Sequence, residues 1–217
     1  MKQPDRVLAE KLLQISAMIL QPDMPFIWGS GWTSPIYNDN RRILSYPDVR
    51  NYVKIEMAKN ILEVYGEATV VAAVSTVAIP ISSIVADSLG LPMIFVRATP
   101  KDHGLENLIE GKLRPGQKVV LVEDTISTGG STLKAAEVVR DAGSDVLGVV
   151  SIFNFEFPMS VKRLRDADIH TISLTNYKTL IDAAIDIDYI HKSDAATLQE
   201  WREDPANWIP ANKRQEL

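Results

Sequence analysis

The chain has 217 residues, a formal net charge of −5, 46% hydrophobic residues and no cysteine. This length supports one domain with its own core, and the composition is ordinary for a globular protein. The acidic balance offers no basic surface for nucleic acid, and no apolar run reaches the ~18 residues of a membrane helix. Because cysteine is absent, disulfides and thiolate metal sites are excluded, and a cytoplasmic location is expected.

Two helices flank an irregular segment in the first third of the chain. Apolar residues recur at helical spacing and predict an amphipathic helix over residues 5–20. A second helix begins at Pro47; its core face extends to Val64, and Gly66 caps it. Between them, residues 26–42 read FIWGSGWTSPIYNDNRR, which has turn residues and no helical period. From this pattern alone, its aromatic residues are equally compatible with a small satellite cluster and with a ring-stacking surface.

Strands and helices alternate from residue 68 onward. This order predicts a mostly parallel sheet with helices on both faces, in which ligands bind beyond the carboxyl ends of the strands. The predicted strands are 69–74, 93–96, 119–122, 146–153 and 170–174, and the predicted helices are 79–89, 132–140, 161–167, 177–187 and 194–202. No linker divides the chain, so we expect a single domain over residues 1–217.

The most informative segment, residues 119–131, reads VVLVEDTISTGGS. Four apolar residues are typical of a buried parallel strand, and the acids Glu123 and Asp124 follow it directly. A loop of hydroxyl residues and glycines then leads into a helix, an arrangement whose backbone N–H groups bind phosphate. Since carboxylates repel phosphate, the acids suit ribose hydroxyls or a metal-bound sugar. The pattern predicts a sugar phosphate ligand, whereas the alternative is an ordinary strand-to-helix turn with a charged edge.

Residues 97–116 form the longest stretch without periodicity in the middle of the chain. Arg97, Lys101 and His103 lie on it, with Gly104 alongside. Long loops inside compact domains are usually functional, often as lids, although Lys and Arg on a loop can also be simply solvated.

These segments together resemble the orotate phosphoribosyltransferases. Residues 119–132 are similar to the phosphoribosyl-diphosphate (PRPP) signature of type I phosphoribosyltransferases, and residues 97–104 resemble the R-x-x-x-K-x-H-G catalytic loop of the orotate enzymes. The hood motif S-G-x-x-S-P-x-Y-x-D-x-R of that family is matched by Ser30, Gly31, Ser34, Pro35, Tyr37, Asp39 and Arg41.

The resemblance implies a type I phosphoribosyltransferase α/β fold with an N-terminal hood, mainly residues 20–45, and a mobile catalytic loop at residues 97–116. It also implies transfer of the phosphoribosyl group from PRPP to orotate in pyrimidine nucleotide synthesis. Mg²⁺ would be carried by PRPP rather than by protein side chains, and a homodimer would share the loop between subunits.

The resemblance also implies a role for each site residue. The catalytic residues would be Lys101, His103 and Asp124, and Ser127 and Tyr37 would contact orotate. PRPP would be bound by Arg97, Lys101, His103, Glu123, Asp124, Thr125, Ile126, Ser127, Thr128, Gly129, Gly130 and Ser131.

Three departures from the family pattern leave alternatives open. Ala98 and Thr99 replace a second loop lysine, residues 73–79 contain no glycine, and Gly29 and Asn154 stand where some members have Lys and Arg. A phosphoribosyltransferase for another base, or a PRPP-binding regulator without catalysis, therefore remains an alternative.

Overall fold

A six-stranded sheet with helices on both faces forms the centre of the molecule, in a computed structural model that describes residues 3–99 and 108–210. The strands are β1 Met18–Leu20, β2 Phe26–Ile27, β3 Thr33–Ser34, β4 Ile36–Asn38, β5 Val70–Val74, β6 Met93–Val96, β7 Ile109–Glu110, β8 Lys118–Ile126, β9 Asp145–Asn154 and β10 Thr171–Asn176. The helices are α1 Pro4–Gln14, α2 Pro47–Val64, α3 Ile79–Leu89, α4 Gly130–Asp141, α5 Pro158–Asp166, α6 Tyr177–Asp186 and α7 Asp194–Glu203, with a 3₁₀ helix at Asn40–Ser45.

Among the described residues the sheet order is β10-β9-β8-β5-β6-β7, in which the β6–β7 pair is antiparallel and the other pairs are parallel. The predicted mostly parallel α/β sheet is confirmed. Strand β7 lies in the stretch that was predicted to lack regular structure, where it pairs antiparallel with the end of β6. Within the described ranges, no helix is both long and apolar enough to span a bilayer.

Strand β8 sits inside the sheet between β5 and β9, and its alternating side chains supply both halves of the core. Val120 and Val122 pack with α1, α2, α3 and α6 on one face. Val119 and Leu121 pack with α4 and α5 on the other. Because both faces are covered, the strand is a continuous apolar run, as the sequence predicted.

Helix α1 ends at Gln14, so the prediction that it continues to residue 20 is wrong. The chain turns through Ser16 at a φ of 55°, and β1 then pairs antiparallel with β4 in the hood. Met18 and Leu20 are buried with one residue between them, which is strand periodicity. The apolar pattern over residues 15–20 fits both structures, and the partner strand decides between them.

Helix α2 begins at Pro47 as predicted, but its last turn differs from the prediction. Val64 is 49% exposed, and Tyr65 takes the buried position instead. The Tyr65 hydroxyl donates a hydrogen bond to the His170 carbonyl at 3.1 Å and lies 2.8 Å from His170 Nδ1. Burial raises the pKa of Tyr65 to about 12, so this hydroxyl stays neutral.

The packing around Tyr65 predicts that Gly148→Ala is strongly destabilising. Gly148 lies at a register shift between β8 and β9 with a φ of 158°, and a Cβ there would come within 2.6 Å of the His170 carbonyl oxygen and of Tyr65 Cζ. We expect the free energy of unfolding to fall by about 2–3 kcal/mol in urea denaturation. As a control, Gly90→Ala places a Cβ on a residue whose φ is already 64° but which has open space around it, and this should lower the free energy of unfolding by only about 1 kcal/mol. If both variants lost the same free energy of unfolding, backbone strain and not the steric clash at Gly148 would be the main cause.

Candidate active site

Glu123 and Asp124 lie within strand β8, which continues to Ile126 and not, as predicted, only to Val122. Glu123 pairs in register with Ser151 of β9, and Ile126 with Asn154. The acids are therefore held by the sheet backbone at its carboxyl edge. A site on a strand is more rigid than one on a loop.

The Glu123 carboxyl is buried beneath the first turn of α4. Its Oε2 accepts hydrogen bonds from the Ser131 hydroxyl at 3.1 Å and from the Thr132 hydroxyl at 3.2 Å. Burial, followed by the neighbouring charge of Asp124, raises the pKa of Glu123 well above its usual range. The two hydroxyl donors oppose that shift without cancelling it.

Asp124 is half-buried and lies closer to the surface than Glu123. Burial raises the pKa of Asp124 as well, while hydrogen bonds from Thr125 favour its charged form. The two neighbouring carboxyls therefore bind protons as a coupled pair, in which Glu123 is the more readily protonated member. The pair presents one accessible negative charge and one hidden carboxyl at the sheet edge.

The segment that follows has the geometry of an anion site. Gly129 adopts a φ of 77° directly before α4, and the first turn of α4 starts at Gly130 and Ser131. Free backbone N–H groups at a helix start, approached through a left-handed glycine, attract phosphate. The side chain of Ile126 is buried in the core, so any contact it makes with a ligand is restricted to its backbone.

A hydrogen-bonded network ties the hood to β8. The Asn40 amide donates to the Asp124 carbonyl at 3.0 Å and to Thr125 Oγ1 at 2.9 Å. The Thr125 hydroxyl in turn donates to Asn38 Oδ1 at 2.9 Å. No local pattern marks either asparagine, since their partners on β8 lie more than 80 residues away.

Two of the residues predicted in the hood motif brace the hood itself. Asp39 accepts hydrogen bonds from Arg41 Nε at 2.6 Å and Nη2 at 3.0 Å, and also from the Arg41 backbone N–H. These contacts keep the pKa of Asp39 below its usual value. The pair caps the 3₁₀ helix that carries Asn40.

A cavity of about 420 Å³ opens between the hood and the end of β8. It brings together four predicted site residues, Tyr37, Thr125, Ser127 and Thr128, and a set of aromatic rings. Its lining comprises Ile27, Trp28, Gly29, Ser30, Trp32, Tyr37, Asn38, Thr125, Ser127, Thr128 and Phe155. A volume of this size, with flat apolar walls and a few hydroxyls, suits a small planar ring.

Arg97 is the one predicted cation among the described residues, and it does not line this cavity. Arg97 follows β6, two strands from β8, and Nη1 of Arg97 lies 3.3 Å from Glu110 Oε1. Lys101 and His103 lie outside the described residues, so their roles stay predictions. Among the described residues, no group of three or more His, Cys, Asp or Glu side chains could hold a metal ion.

A profile of the Phosphoribosyl transferase domain matches residues 51–186. The chain is 54% identical to an orotate phosphoribosyltransferase of Bacteroides thetaiotaomicron over 208 residues, 96% of this chain and 98% of that protein.

Solved structures show the same fold. Leishmania donovani UMP synthase superimposes with a TM-score of 0.77 at 25% identity, covering 92% of this chain and 42% of that one. Orotate phosphoribosyltransferase from Aeropyrum pernix superimposes with a TM-score of 0.65 at 26% identity, covering 81% and 97%. The carboxyl pair on β8, the anion site at α4 and these similarities place the chain in the orotate phosphoribosyltransferase family, with the type I phosphoribosyltransferase fold.

Proposed function

We propose that this protein transfers the 5-phosphoribosyl group from PRPP to orotate, releasing diphosphate and forming orotidine 5′-monophosphate. One observation carries the proposal: the ring-sized cavity adjoins the segment Thr125–Thr128, directly after the carboxyl pair. The three parts of the product would then lie in order along this segment. The base would occupy the cavity, the ribose would lie at the acids, and the 5′-phosphate would lie at the start of α4.

The carboxyl pair suits the ribose step. When the bond between the anomeric carbon and diphosphate breaks, positive charge develops on the ribose ring. Asp124, the more accessible acid, would accept hydrogen bonds from the ribose hydroxyls and stabilise that charge. Glu123 lies behind it and is held by Ser131 and Thr132. Charge stabilisation by preplaced groups is usually the largest single contribution to catalysis.

The cavity suits a flat base with polar edges. Trp28, Trp32 and Phe155 supply ring faces, and Ser30, Ser127 and Thr128 supply hydroxyls. None of the described lining residues is cationic, so within this part of the chain an orotate carboxylate would be met by hydroxyl and backbone N–H donors. Tyr37 closes the side of the cavity next to the hood.

The remaining parts of the proposal rest on the family resemblance. Arg97, Lys101 and His103 would contact the departing diphosphate. The loop of residues 97–116 would reach into the active site of the neighbouring subunit of a homodimer. Mg²⁺ carried by PRPP would neutralise diphosphate charge. The cysteine-free sequence agrees with a cytoplasmic location.

Turnover with a panel of bases tests the proposal directly. With PRPP and Mg²⁺, orotate should be consumed with equal release of diphosphate, while adenine, guanine, hypoxanthine and uracil should react poorly. Preference for a purine would overturn the choice of base. PRPP binding without turnover of any base would indicate a regulator instead.

The raised pKa of Glu123 predicts opposite effects of Glu123→Gln on stability and on activity. Because the folded pKa lies above the unfolded value, ionised Glu123 costs stability, and this cost appears as the pH rises above about 4.5 and through the folded pKa. The variant should therefore melt about 2–4 °C higher than wild type at pH 8 and show no gain near pH 4. Its turnover should fall, because a neutral amide cannot offset ribose charge.

Differential scanning fluorimetry across this pH range, alongside turnover, measures both effects. Glu137→Gln, which neutralises an exposed acid on α4, is the matched control and should shift neither melting temperature nor turnover. A Glu123→Gln variant that is less stable at pH 8 would show that the charge is compensated in the fold.

Asp124→Asn and Lys101→Ala test the two halves of the proposed site together. Asp124→Asn should keep the fold and lose about 10²–10³ in kcat, whereas Asp145→Asn at the amino end of β9 should behave as wild type. Lys101→Ala should lower kcat far more than it raises the KM for PRPP.

Subunit mixing then tests whether the loop acts across a dimer. If it does, a mixed dimer of the two inactive variants has one site with both lesions and one intact site. Activity should therefore recover to up to half the wild-type rate per mixed dimer. No recovery despite proven exchange, or a monomer in solution, would contradict loop sharing and leave the carboxylate role intact.

A further inference from the structure

The C-terminal helix α7 packs directly against the back of the cavity wall formed by Trp28 and Phe155. Trp201 of α7 is fully buried. Its ring centroid lies 5.6 Å from that of Trp28 and 5.7 Å from that of Phe155, both in edge-on arrangements. Its indole N–H donates a hydrogen bond to the Thr33 carbonyl at 3.1 Å, which fixes β3 of the hood. Trp201 therefore touches both the hood side and the sheet side of the cavity wall.

Arg202, the next residue, holds the other end of the same wall. Its Nε donates to the Phe155 carbonyl at 3.2 Å, and its Nη2 donates to the Glu156 carbonyl at 2.8 Å. Its guanidinium also lies over the Tyr177 ring, 5.7 Å from the centroid. Charged donors to backbone carbonyls are among the stronger hydrogen bonds in proteins.

The backbone that Arg202 holds is in an unusual conformation. Glu156 has a φ of 51°, in the left-handed region that a residue with a Cβ seldom adopts. Its N–H donates to Asn154 Oδ1 at 2.8 Å, and its carbonyl accepts from Arg202. This turn directs Phe155 towards the cavity, so contacts from a distant helix maintain the position of a lining ring.

The supporting residues lie outside the shared family domain. The Phosphoribosyl transferase profile ends at residue 186, before α7 begins at Asp194. The four tryptophans of the chain, at positions 28, 32, 201 and 208, also lie outside residues 51–186. The hood residues that line the cavity and the α7 residues behind them thus lie outside the matched domain, whereas Phe155 lies inside it.

We propose that Trp201 and Arg202 are positioning residues for the base: they hold Trp28 and Phe155 at the spacing that a planar base requires, while making no contact with PRPP. This inference rests on the proposed function, because it takes the cavity as the base site. Loosening the wall should therefore weaken base binding selectively and leave the carboxyl pair and the anion site as they are.

Steady-state kinetics of Arg202 variants tests the inference. Arg202→Ala should raise the KM for orotate about tenfold, with the KM for PRPP within about twofold of wild type. Arg202→Lys keeps the charge and one donor, so its KM for orotate should fall between those of Arg202→Ala and wild type. Arg165→Ala, which removes an exposed arginine from α5, is the matched control and should leave both KM values unchanged.

The two buried tryptophans of the C-terminal segment give a second, matched comparison. Trp201→Phe removes the hydrogen bond to Thr33 and part of the contact with Trp28. Trp208→Phe removes a buried indole N–H that has no partner among the described residues. The KM for orotate should rise at least fivefold in Trp201→Phe and stay within twofold of wild type in Trp208→Phe. If Arg202→Ala fails to fold, Arg202→Lys and Trp201→Phe carry the test.

The outcomes separate this inference from the proposed function. Wild-type protein that does not use orotate would overturn the function itself. Active wild type, with variants whose two KM values rise by the same factor or whose melting temperature alone falls, would overturn the positioning role. Equal effects of Trp201→Phe and Trp208→Phe would overturn it too.

Discussion

The constraint on which the site depends is the burial of a carboxyl at the edge of a parallel sheet. Burial of Glu123 is unfavourable for its ionised form, and two hydroxyls from α4 compensate only in part. The arrangement is tolerable because β8 is paired on both sides and packed on both faces. A rigid strand can hold such a group where a loop would turn it towards water. The buried carboxyl of Glu123 therefore lowers the stability of the fold, and in return the acid is held at a fixed position beside Asp124.

The second organising interaction is the amide network that joins the hood to β8. Asn38 and Asn40 bind Thr125 from a segment that has only short strands of its own. Without these contacts, the hood would be held against the sheet mainly by apolar packing of residues such as Met18, Leu20 and Ile36. The network therefore sets the distance between the ring-sized cavity and the carboxyl pair.

Local pattern was enough to predict the sheet, most helices and the β8–α4 segment, because each follows from periodicity or from short-range turn chemistry. Long-range contacts explain the errors. The apolar residues up to Leu20 fit a helix as well as a strand, and only pairing with β4 decides between them. Likewise, the acids stay in β8 because β9 continues beside them. The roles of Asn40, Trp201 and Arg202 depend on partners far along the chain, which a single sequence does not reveal. Lys101 and His103 rest on resemblance alone.

The structure divides the chemistry between two parts of the chain. The carboxyl pair and the anion site lie inside the shared domain. The cavity walls come largely from the hood and from Phe155, and helix α7 packs behind Trp28 and Phe155. A change in α7 can therefore alter the fit of the base without moving Asp124, since the two are linked only through the wall and the sheet. The departure from the family pattern at Gly29 falls in the lining of this cavity. It leaves unchanged the acids on β8 that would stabilise the ribose.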